Sequence, residues 1–181
     1  MQKSLIKFNN KILLITIINI IWHHHNNRTK NRIMALSESE YVGKNDSSLF
    51  EAIKTQNWIS VEQLLQEEPN LTTVNDEFGN LPLHSAIGFK CPDQILRNIL
   101  VLNPLACKIH GTDDWLPIHI AAMWGVSTEI MTALIRTYPE GLDDSGQTSN
   151  NKGRTPRHFS KRFEHNRELL ERSTEDWKRG A

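Results

Sequence analysis

Leu81-Pro82-Leu83-His84-Ser85-Ala86 returns as Leu116-Pro117-Ile118-His119-Ile120-Ala121, thirty-five residues further along. The agreement continues at the same offset: Leu96 matches Met131, Ile99 matches Leu134, Leu100 matches Ile135 and Pro104 matches Pro139. Stepping back by thirty-five reaches Val61, Leu64, Leu65 and Pro69. A period of this size marks a chain built from one supersecondary unit used several times. A weaker copy, Gly153-Arg154-Thr155-Pro156-Arg157-His158, follows with its proline thirty-nine residues after Pro117. The four extra residues fall in the polar stretch from Asp143 to Asn151, where a surface loop absorbs them.

Each unit reads as two short helices. Pro82, Pro117 and Pro156 suit the first turn of a helix, because the N–H that proline lacks has no partner there. The second helices have start signals in Ser60 with Gln63, a capping-box spacing, in Pro92, and in Ser127 or Thr128. Apolar residues at i, i+3 and i+4 give each helix one sticky stripe. A lone pair of helices cannot bury such a stripe, so the copies must stack. The expected fold is all-α, about four helix-turn-helix units over 48–173 (about 48–77, 78–112, 113–151 and 152–173), joined by short turn or β-hairpin connections.

The unit length and the motif together resemble the ankyrin repeat. Asp76-Glu77-Phe78-Gly79-Asn80-Leu81-Pro82-Leu83-His84 follows the family's Asp-x-x-Gly-x-Thr-Pro-Leu-His with Leu81 in place of threonine. The second copy departs further, with Gly111 and Asp114 where Asp and Gly are expected, and in the fourth Arg157 replaces an apolar residue. The first copy, from Ser48 to about Asn75, lacks the turn motif and resembles a terminal capping repeat. The fourth is rich in charge, as the last unit of a stack must be.

The resemblance implies that His84, His119 and His158 are structural, tying the turn and helix of neighbouring repeats by hydrogen bonds, with Pro82, Pro117 and Pro156 beside them. With Leu81 and Leu116 in place of threonine, it implies looser turns in the middle repeats. It also implies a protein-binding role on the concave side. The positions that point there are Glu77, Phe78 and Asn80 on the first turn and Thr112, Asp113 and Trp115 on the second. Asn151, Lys152 and Arg154 lie on the third, and Gly88, Phe89, Met123 and Trp124 on the first helices. Phe78, Trp115, Phe89 and Trp124 are read as one aromatic strip, since exposed aromatic clusters mark contacts. The alternative is that Trp115 lies on the neighbouring turn and Trp124 fills a gap under the second helix. Trp58 and Trp177 read as packing residues.

No catalytic constellation is present: there is no glycine-rich phosphate loop, no Cys-x-x-Cys and no nucleophile motif. The paired acids Glu67-Glu68, Asp113-Asp114 and Asp143-Asp144 sit near helix ends or in connections. No enzyme activity, cofactor or metal is expected, the repeat histidines being about a helix spacing of 10 Å apart and so unable to share an ion. Cys91 and Cys107 read as reduced thiols.

The net charge of zero over 181 residues is unevenly distributed. Residues 1–35 hold six Lys/Arg and no Asp/Glu, 36–151 hold six against sixteen, and 152–181 hold nine against five. The acidic middle repels nucleic-acid phosphate, so the expected partner is a protein with complementary basic or apolar features. A monomer in the cytoplasm is expected.

Residues 1–35 are different in character. Lys3, Lys7 and Lys11 precede an apolar run from Ile12 to Trp22, too short to span a bilayer and followed by His23-His24-His25 rather than a small-residue cleavage site. Three adjacent histidines in a tail do not preorganise a metal site. The segment reads as sequence upstream of a true start at Met34, as a signal or membrane anchor, or as a disordered or targeting tail. The anchor reading gives the alternative function, a membrane-associated or exported protein carrying the stack. Residues 36–47 read as a polar linker and 174–181 as a C-terminal tail.

Overall fold

The structure, a computed structural model, describes residues 48–145 and 153–180. The expectations for residues 1–47 lie outside the described residues. All regular structure within them is helical: eight α-helices and five short 3-10 turns. No helix among them is long and apolar enough to cross a membrane.

The helices come in pairs. The pairs are α1 (Ser48–Lys54) with α2 (Trp58–Glu67), α3 (Pro82–Gly88) with α4 (Asp93–Leu102), and α5 (Pro117–Trp124) with α6 (Thr128–Thr137). The three second helices are each ten residues long and start thirty-five residues apart. They also end alike. Glu68, Asn103 and Tyr138 take φ of −135°, −140° and −147°, and each sends its N–H to the carbonyl four residues back. A proline follows each one, which bars the α conformation from the residue before it and stops the helix there. The proline then opens a 3-10 turn: Pro69–Thr73, Pro104–Lys108 and Pro139–Leu142.

One start differs from the capping box expected at Ser60. The cap is Asn57, whose Oδ1 accepts from the Ser60 N–H at 3.2 Å, so α2 begins three residues earlier than Ser60 allows. Ser127 caps α6 in the same way, its Oγ accepting from Ile130 N at 3.2 Å.

Burial follows the repeat. Val61 and Leu65 of α2, Ile95, Leu96, Ile99 and Leu100 of α4, and Ile130, Met131, Leu134 and Ile135 of α6 are all within 7% of full burial. At roughly 1.5–3 kcal/mol for each large aliphatic side chain, these stripes are the main favourable term. They are buried between pairs as well as within them. α3 packs on α1 and on α5, and α4 packs on α2 and on α6. Asn103 strengthens one such junction, its buried Nδ2 donating to Thr72 O at 2.8 Å.

The connections ahead of α3 and α5 are turns without strands. Of the two forms expected, turn or β-hairpin, the described residues have the turn: Asp76 N donates to Asn80 O at 2.9 Å and Gly79 N to Asp76 O at 3.0 Å. Gly111 N to Trp115 O and Asp114 N to Gly111 O repeat the pattern at 2.9 and 3.1 Å. Neighbouring tips are joined through a side chain, Asn80, and not through a backbone ladder.

The last unit departs from the pattern. Its first helix is reduced to a 3-10 turn, Pro156–Phe159, followed by α7 (Glu164–Glu171). Residues 174–180, expected as tail, form α8 (Thr174–Arg179) and pack on α6 and on Pro139–Leu142. Trp177 anchors it, 4% exposed, with Nε1 donating to Leu169 O at 3.2 Å and the Arg172 guanidinium 4.8 Å from its ring.

Candidate protein-binding surface

Asp76 shapes the first tip. Its Oδ1 accepts from Phe78 N at 3.0 Å and Asn80 N at 2.8 Å, and its Oδ2 accepts from Asn80 Nδ2 at 3.1 Å. With Gly79 at a φ of +82° the loop turns tightly and presents Phe78, 65% exposed, beside the exposed Glu77. Asn80, expected to face a partner, is occupied: its Oδ1 accepts from Thr112 N of the next tip at 2.9 Å. Thr112 Oγ1 lies 3.5 Å from Phe78 O, and Asp113 is exposed at a φ of +59°.

The same contact explains Gly111. A Cβ at this position would stand 2.5 Å from Asn80 Oδ1 and 3.0 Å from the His84 ring. The aspartate expected by the family pattern does not fit here once Asn80 reaches across.

Trp115 is placed differently from an exposed anchor. Its ring stacks on His119 with centroids 6.1 Å apart and meets Phe159 edge-on at 6.0 Å, and its Nε1 is buried without a hydrogen-bond partner. The second turn therefore spends its tryptophan on packing against the next unit.

The histidines behave as ties. Leu81 N donates to His84 Nδ1 at 3.1 Å, and His84 Nε2 donates to Ile109 O at 3.0 Å. Leu116 N to His119 Nδ1 and His119 Nε2 to Asp144 O repeat this at 3.2 and 2.9 Å. These partners fix the Nε2–H tautomer. Burial pushes both imidazoles below their ordinary pKa, against the opposing pull of the carbonyls. At Thr155 both the backbone N–H, at 2.9 Å, and the hydroxyl, at 3.0 Å, meet His158 Nδ1. Leucine at the two middle positions removes the hydroxyl contact and keeps the backbone one. Pro82, Pro117 and Pro156 are buried at the starts of their helical segments.

Phe89 and Trp124 lie at the other end of the first helices, 39% and 48% exposed. Phe78 and Trp115 precede α3 and α5, while Phe89 and Trp124 end them, so a helix of about 10 Å separates the two pairs. The four aromatics are two groups, not one strip. Met123 is half-buried next to Trp124, Gly88 and Arg154 are exposed, and Asn151 and Lys152 lie outside the described residues.

Two features were not read from the sequence. Val101, Leu102 and Leu105 are 80%, 41% and 67% exposed, at positions where the adjoining units carry Gln66, Glu67 and Asn70 or Arg136, Thr137 and Glu140. Phe163 is the second, and its alignment with Trp124 shows only when the four-residue insertion is allowed for.

No family model, curated protein or solved structure matches the chain. Among the described residues no group of three or more His, Cys, Asp and Glu is placed to hold a metal ion. Burial pushes both thiols, Cys91 and Cys107, up to about 12. Asp143 and Asp144 are tied to Arg157 at 2.7 Å and His110 at 3.2 Å.

Proposed function

We propose that this chain is a protein-interaction scaffold of the ankyrin-repeat kind, with its helix pairs stacked in series as a solenoid and a partner protein held on the face of the first helices. The thirty-five-residue register of helix starts, the proline-stopped helix ends and the repeated histidine ties support the repeat reading. The observation that carries the binding reading is the pair Phe89 and Trp124. They occupy equivalent positions, the core does not need them, and both keep over a third of their surface in water. Aromatic side chains exposed in this way are the usual anchors of an interface. Phe78, with Glu77 beside it, supplies a second contact at the tips, where a basic partner residue fits. The polar groups of the histidines and of Asp143 are engaged in holding units together, which favours a binding role over a catalytic one.

The test is affinity capture from native extract with the full chain, compared with a Phe89→Ala/Trp124→Ala variant. Trp115 is left intact because its removal would disturb the junction with His119 and Phe159. The variant should keep its helical circular dichroism and lose its captured protein. If a folded variant captures the same protein equally well, the first-helix face is not the binding surface.

A further inference from the structure

Val101, Leu102 and Leu105 stand 80%, 41% and 67% exposed at the end of α4 and in the turn after it. They are neighbours along the chain, separated only by the buried Asn103 and by Pro104. The units on either side are polar at the same positions, with Gln66, Glu67 and Asn70 before and Arg136, Thr137 and Glu140 after. The repeat folds with polar groups here, so the apolar trio is peculiar to the middle unit. Exposed apolar surface gathered in this way marks a contact. Three side chains fall short of the roughly 800 Å² per partner of a standard interface, and a molecule that covers them must also cover α2 and α6, which flank α4.

The two flanks differ in charge. α2 exposes Glu62 and Glu67, Glu68 follows as its C-cap, and Trp58 to Glu68 contains no Lys or Arg. On the other side α6 exposes Arg136, and Lys108 leans that way with Nζ 5.4 Å from the centroid of the Tyr138 ring. Glu140, which shares this side, is held by Lys178 at 3.2 Å, and Lys178 also reaches Glu175 at 3.5 Å. This flank thus sets three cations against two acids. Arg97 of α4 and Glu129 of α6 answer each other at 2.8 Å. Glu62, Glu67, Lys108 and Arg136 belong to no ion pair among the described residues.

An apolar centre with an acidic flank on one side and a basic flank on the other is complementary to itself. A two-fold axis through the centre lays Val101, Leu102 and Leu105 of one copy on the same residues of the next and reverses the order of the units. α2 of each copy then faces α6 of the other, which brings Glu67 beside Arg136 twice. We propose that the chain forms a two-fold dimer through this face, in place of the expected monomer. A foreign protein of one sign meets one flank favourably and the other unfavourably, whereas a second copy satisfies both. The contact lies about 13 Å along α4 from its start near Phe89, so it stands apart from the first-helix surface and does not rest on it.

The experiment is sedimentation velocity on the full chain from about 1 to 100 μM, the upper range of constants for an interface of this size. The chain should pass from monomer to dimer as concentration rises. Val101→Gln/Leu105→Asn carries the residues of the first unit at these positions; it should keep its circular dichroism and stay monomeric throughout. Glu67→Arg and Arg136→Glu should each weaken the dimer about tenfold, since every change counts twice about the axis. Combined in one chain they restore opposite signs, and the dimer should return to within about threefold of the native constant. A native chain that is still monomeric at the highest concentration overturns the proposal. A dimer that survives Val101→Gln/Leu105→Asn overturns the location. A combined Glu67→Arg/Arg136→Glu chain no tighter than the single variants overturns the two-fold arrangement. Each of these outcomes leaves the capture test at Phe89 and Trp124 unaffected.

Discussion

Arg157 stands where the repeat pattern has an apolar residue, and replacing it tests how the stack is closed at its C-terminal end. Its Nη1 donates to Leu170 O at 2.6 Å and Arg172 O at 2.7 Å, capping the last turn of α7. Its Nη2 donates to Thr174 Oγ1 at 2.9 Å at the start of α8, and its Nε to Asp143 Oδ1 at 2.7 Å. Thr174 completes the circuit by donating to Asp143 Oδ2. Asp143 keeps 57% of its side chain in solvent, so the ion pair itself contributes only about 0.5 kcal/mol. The two bonds to carbonyls contribute about 1 kcal/mol each and the Thr174 bond somewhat less, giving about 3 kcal/mol for Arg157→Met. Methionine keeps an apolar stem, so the loss is mostly polar. Because end units of a stack open separately, the loss should be local. Hydrogen exchange should quicken about a hundredfold over α7 and α8, while α4 exchanges as before. If protection across 164–179 is unchanged, Arg157 does not hold the last unit, and the end is closed by Trp177 with the Asn166 bond to Val126 O.

Stability should fall with acid. His84 and His119 are neutral in the fold and have lowered pKa values, so their contribution is complete above an unfolded value of about 6.5 and is lost as pH falls toward the depressed folded values. Tm should drop between pH 7 and pH 5, and a flat profile would show that the two rings are not neutral ties. Gly111→Ala should cost about 1 kcal/mol in urea unfolding through loss of the Asn80 to Thr112 bond. The cost should at least halve in an Asn80→Ala background, and an undiminished cost would assign the strain to His84 instead. Cys91 and Cys107, buried with thiols near 12, should resist a disulfide reagent at pH 8 until the chain unfolds, when both react.

The register of the fold was legible because it rests on strong local chemistry. Apolar residues at helical spacing, a proline after each of α2, α4 and α6 and a proline at the start of α3 and α5 act within a few residues, and there the structure places helices where they point. The start of α2 was misread for a reason that is also local: Asn57 caps as well as serine, and the Ser60/Gln63 spacing concealed it. The C-terminal helix was hidden by composition. Charged residues surround Trp177, and its bond to Leu169, with the packing of α8 on α6 and on Pro139–Leu142, makes α8 part of the domain.

The proposed binding surface was harder to read because its candidate residues are told apart by what their neighbours take from them. Asn80 and Trp115 look as available in sequence as Glu77 and Phe78. Asn80 is lost to the surface because Gly111 lets it reach Thr112, and Trp115 because His119 and Phe159 lie on either side of it. The departures from the repeat pattern thus sort by consequence. Gly111 and Arg157 break the pattern and are answered by specific bonds that join units. Phe89 and Trp124 break no helix signal and, among the described residues, make no ring contact within the stack. A residue type that the fold neither requires nor uses needs an explanation outside it, and Phe89 and Trp124 are of that kind, as are Val101, Leu102 and Leu105 on α4 and the turn after it.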